Sequence, residues 1–85
     1  MQLKFIDGRF KASEADLLVT RLIETKISFH EQRIRTIHLA EEDIKHSESR
    51  IRQLKESLRQ MQLMIKSTPG AMVDLDAEIT INIIK

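Results

Sequence analysis

Ile37–Ile65 reads IHLAEEDIKHSESRIRQLKESLRQMQLMI, and one row through it decides the fold. Every step along that row is three or four residues, in alternation. Its members are Ile37, Ala40, Ile44, Ser47, Ile51, Leu54, Leu58, Met61 and Ile65, and seven of these nine are large and apolar. This spacing is the a/d seam of a helix lying along a partner helix. A seam offers a surface to another helix, in the same chain or a second one. It carries no reaction chemistry.

Toward the C-terminus, Thr68-Pro69-Gly70 stops the seam helix. Proline disfavours helical geometry at the residue before it and has no N–H to donate. Lys66 in the last turn complements the helix dipole. The spacing predicts this helix over residues 41–67. Beyond the stop, Val73, Leu75, Ala77, Ile79, Ile81 and Ile83 alternate with Asp74, Asp76, Glu78, Thr80 and Asn82. That period of two predicts a strand over 73–84 with one apolar and one polar face.

Toward the N-terminus, Ala15, Leu18, Val19, Leu22 and Ile23 share one helical face, which then swings to Ile27, Ile34 and Ile37. A helix is expected over 13–35. Ser13 is the candidate cap, with Asp16 three residues on in the place where a capping box has Glu or Gln. Gln2-Leu3-Lys4-Phe5-Ile6 alternates as a short strand, 2–6, and Asp7-Gly8 reads as its exit turn.

The order strand, helix, helix, strand makes one small domain, 1–85, of the α+β class and mostly α. No Gly or Pro lies between Ala12 and Thr68. Either a turn falls between Arg35 and Ser47, or one helix runs about 55 residues and about 80 Å. A hairpin is preferred, because unbroken helices of that length are uncommon in globular proteins. It would return both strands to one end, where they pair antiparallel. A two-stranded sheet is barely stable alone. Free edges would invite a second copy, giving a four-stranded sheet under four helices. The continuous-helix alternative leads to a domain-swapped dimer with the same contacts.

Composition points the same way. The 85 residues include no Cys, Trp or Tyr, and three Phe are the only aromatics. A chain this short buries only about 60–65% of its unfolded surface, and no disulfide makes up the deficit. Self-association is the remaining route to stability. The net charge of +1 makes no electrostatic case for a polyanion partner. No signal sequence and no run of about 20 apolar residues is visible, which suits a cytoplasmic protein without a membrane partner.

Three features could carry chemistry. His38, Lys45, Arg52, Arg59 and Lys66 recur every seven residues beside the seam, a stripe that could track phosphates. Glu41, Glu48 and Glu56 lie close by, and no aromatics interleave for base stacking, so a solvated, ion-paired face is the ordinary reading. His38, Glu42 and His46 share a face if helical and are weak candidates for a transition metal. Solvated side chains near a turn are the ordinary reading, and no metal or cofactor is expected. His30 lies on the shifted apolar row, where a half-buried imidazole is the usual outcome. No glycine-rich phosphate loop, nucleophile elbow or defined carboxylate pair is present. The sequence therefore points to a non-enzymatic interaction or assembly module. Its interaction seam would be Ile37, Ile44, Ile51, Leu54, Leu58, Met61 and Ile65. It would pair with itself and conceivably with another protein. Nucleic-acid binding through Lys45, Arg52, Arg59 and Lys66 is one alternative, and a helical transition-metal-binding protein using His38, Glu42 and His46 is the other.

Overall fold

The computed structural model describes residues 1–36 and 41–85. Four elements follow in order: β1 (Gln2–Lys11), α1 (Ala12–Thr36), α2 (Glu41–Lys66) and β2 (Met72–Thr80). The helices form a hairpin, and the two strands pair antiparallel. Seam residues Ile37 and Ala40, and with them His38, lie outside the described residues.

β1 is longer than its alternation suggests. It runs through Asp7-Gly8 to Lys11, so the expected exit turn is absent. Pairing explains the difference. Asp7, Gly8, Arg9, Phe10 and Lys11 each have a partner on β2, from Asp76 to Met72. Arg9 Nε donates to Asp74 at 3.1 Å. Gly8 sits opposite Leu75, and the ring of Phe10 lies against it.

The register slips once, between Lys4 and Ile6, so Phe5 is an extra residue in a β-bulge. The slip changes which residues share a face. Leu3, Ile6, Gly8 and Phe10 stand opposite Ile79, Ala77, Leu75 and Val73, which puts all eight on one face. Gln2, Lys4, Asp7, Arg9 and Lys11 share the other face with Thr80, Glu78, Asp76, Asp74 and Met72. The first face is apolar. The second is charged and held by ion pairs, Lys4 to Asp76 and Arg9 to Asp74. Asp7 and Asp76 oppose each other directly, a repulsive arrangement that Lys4 offsets by facing both.

β2 ends at Thr80, opposite Gln2, rather than at 84. Met1 and Ile81 exchange backbone bonds of 3.0 and 2.8 Å and close the ladder.

No loop separates β1 from α1. Ala12 opens the helix, one residue before the expected cap at Ser13. Glu14 Oε1 accepts from the Lys11 backbone N–H at 3.1 Å, the back-reaching half of a capping box. Asp16 accepts instead from Thr20 Oγ1 at 2.9 Å. Ala12 also donates its backbone N–H to Ala71, so the helix start is tied to the β2 entrance.

α2 ends at Lys66, where Ser67 Oγ donates to the Met64 carbonyl and the Thr68 N–H to the Ile65 carbonyl. Gly70 then turns the chain with φ +80°, a left-handed conformation in which a side chain is strained. The Ala71 N–H bonds back to Thr68 across this turn.

α1 makes the tertiary contacts. It packs along α2 and also approaches both strands, whereas no described residue of α2 has its Cα within 8 Å of the sheet. Among the described residues, Ala12, Ala15 and Ile27 of α1, Ile6 of β1 and Ser47 of α2 are the buried positions, and no large side chain is fully enclosed. Two expected outcomes follow. Gly70→Ala should cost about 1–2 kcal/mol from backbone strain alone, since nothing lies within 4 Å of the added methyl. Ile27→Ala should cost about 2 kcal/mol through lost burial. Urea unfolding at one fixed protein concentration measures both.

Candidate functional site

The described seam positions behave as one row. Ile44, Ile51, Leu54, Leu58, Met61 and Ile65 are half-buried and Ser47 is buried, while most of their neighbours on α2 are exposed. They face α1: Ile51 lines a cleft with Ile34, and Gln62 Nε2 reaches Thr20 Oγ1 at 3.4 Å. The seam therefore meets a helix of its own chain, and the surplus apolar surface lies elsewhere.

Ser47 sits in the interior of α2, which makes it a seam member rather than an N-cap. Beside it is His30 of α1. His30, Arg33, Asp43, His46 and Ser47 line one cleft between the helices. A small side chain at 47 leaves room for the imidazole. Both ring nitrogens of His30 are buried and have no hydrogen-bond partner among the described residues. Phe29 meets the ring edge-on at 5.8 Å, and the Lys26 ammonium stands 5.9 Å over Phe29. Desolvation lowers the His30 pKa from 6.5, and the nearby charges of Lys26, Arg50, Arg33 and His46 lower it further. Sequence alone placed His30 on the apolar row. It could not place Arg50 and His46 against it, because those sit on the other helix.

The basic stripe is partly neutralised. Lys45 pairs with Glu41 at 3.3 Å. Arg59 binds Glu56 through two nitrogens, with Nε at 3.0 Å. This contact lowers the Glu56 pKa and raises that of Arg59. The weak metal candidates are not brought together on described ground: His38 lies outside it, and no group of three His, Cys, Asp or Glu suited to a metal occurs among the described residues. Nor is any described helix long and apolar enough to cross a membrane.

The exposed apolar side chains were less legible. Met61 and Ile65 are half-buried, whereas Leu63 and Met64, off the seam on α2, are exposed. At the far end of the sheet, Met1, Leu3, Ile79 and Ile81 are all exposed, as are Phe5, Ile83 and Ile84 beside them.

These exposures add up. The chain presents 6967 Å² to solvent, whereas a compact monomer of its mass presents about 5,200 Å². Its radius of gyration is 15.6 Å, against about 12 Å for a compact domain of this length.

Compared with protein-family models, curated proteins and solved structures, the chain matches none.

His30 supplies a pH test. Its folded form resists protonation, so the unfolded chain binds the proton first as pH falls below 6.5. Stability should be highest above that value and decline as pH drops through the lowered folded pKa. Melting curves between about pH 7 and about pH 5 should fall more steeply for the natural chain than for His30→Gln. Equal slopes would show a solvated imidazole.

Proposed function

We propose that this protein is a non-enzymatic interaction and assembly module that works as a homodimer. The observation that carries this reading is the excess of exposed surface. It amounts to roughly 1,800 Å² per chain, about twice the 800 Å² per partner of a standard stable interface. A lone copy leaves that area, much of it apolar, unpaid by any core. Association is the physical remedy for a domain this small. A net charge of +1 sets up little long-range repulsion between copies.

The seam contributes by making the helical hairpin rigid. Ile51, Leu54 and Leu58 fix α2 against α1, and the paired strands fix the far ends of both helices. Such a unit can present a defined face to a second copy. The nucleic-acid alternative is less well supported, since Lys45 and Arg59, two of its four cations, are engaged by Glu41 and Glu56.

Light scattering on a sizing column, run over a range of concentrations, is the test. The expected result is twice the chain mass with one cooperative melt whose midpoint rises with concentration. A folded monomer at all concentrations would sink the homodimer reading.

A further inference from the structure

Among the described residues, the two ring nitrogens of His30 are the only buried side-chain polar atoms without a hydrogen-bond partner. They lie at the contact between the helices, where His30 and Arg33 of α1 and Asp43, His46 and Ser47 of α2 line one cleft. A neutral imidazole has one donor and one acceptor, and an imidazolium has two donors and a charge. The closed cleft meets neither need, because both nitrogens are shut off from water as well. The neutral ring already pays for this, and a charged one would pay far more.

The groups around the ring sharpen that difference. Lys26 and Arg33 of α1 and His46 and Arg50 of α2 all act against a proton on His30. Asp43 is the one acid lining the cleft, and it is not among the charges that act on the ring. No strand residue lines the cleft.

The two ends of the hairpin are held differently. The strand end is tied by the β1–β2 ladder and by the Ala12 to Ala71 bond, and the Gln62 to Thr20 bond lies toward that end. His30 and Ser47 lie toward the other end, since α1 finishes at Thr36 and α2 starts at Glu41. An opening at their level leaves the sheet and its ties in place.

We infer that His30 is an acid-operated latch, whose protonation draws the first turns of α2 away from α1 at the level of Ser47 while the strand end of the hairpin stays closed. Opening brings water to the ring, which then holds its proton at no desolvation cost. The released turns of α2 lose their helix as well, because tertiary packing supplies most helical stability in proteins. The hydrated ring of the open hairpin titrates at about 6.5, and the closed one below it. Acid therefore favours opening below that pH, by at most about tenfold per pH unit, until the closed form is protonated too. The latch lies within one chain and goes beyond the homodimer reading.

The experiment is residue-resolved amide hydrogen exchange of the natural chain at about pH 7 and about pH 5.5, at one protein concentration, with rates corrected for the intrinsic effect of pH. Protection over residues 45–51 of α2 should fall several-fold, up to about tenfold, at the lower pH, while the β1–β2 ladder keeps its protection. His30→Gln should hold residues 45–51 equally protected at both pH values, and His46→Gln should still respond. An equal loss over helices and sheet would assign the acid effect to global unfolding and overturn the latch. Unchanged protection in the natural chain, or a His30→Gln chain that responds as the natural one does, would overturn it too. Ring resonances of His30 in the natural chain give a readout that needs no variant. Their titration should follow the loss of protection, and a ring that stays neutral while residues 45–51 open would rule His30 out as the trigger.

Discussion

The antiparallel pairing of β1 with β2 is the constraint on which the rest of the structure depends. It joins residue 1 to residue 81 and therefore closes the chain into a loop. With Ala12 tied to Ala71, the start of α1 and the entrance to β2 are held together. The two helices must then leave and return at one end, which makes the hairpin the geometry compatible with the sheet. A two-stranded sheet is marginal by itself. Here it gains from α1, which covers part of its apolar face, and from the ion pairs on its charged face.

The same arrangement leaves the protein open. α1 is shared between two neighbours, α2 and the sheet, while no described residue of α2 has its Cα within 8 Å of a strand. Each apolar row is therefore covered on one side only. This is why the seam residues are half-buried rather than enclosed and why no large side chain is fully hidden. A chain this small buries a modest fraction of its surface, which is why its core is marginal. The proposed homodimer rests on this shortage of covering surface.

His30 is the exception within the helix pair. It occupies an apolar row opposite the one polar seam position, Ser47, with cations on both helices around it. A buried imidazole without a partner weakens the packing that surrounds it. Polar groups at seam positions can fix helix register at a cost in stability. His30 and Ser47 meet at one level of the hairpin, which is the geometry such a role requires.

The sequence by itself determined the four elements, their order and nearly all their faces. The three-four row from Ile44 to Ile65 and the alternation from Val73 to Ile79 are local patterns, and local periodicity reports burial directly. It misread Asp7-Gly8 as a turn, because glycine in a strand and glycine in a turn look alike until a partner strand is known. It missed the bulge at Phe5 for the same reason, and with it the sharing of one face by Leu3 and Ile6. Only the tertiary structure decided that Leu63 and Met64 remain exposed and that Leu3 and Ile79 are open while Ile6, on the same face, is buried. Those outcomes depend on contacts between residues far apart in the chain, and no spacing within one segment encodes them.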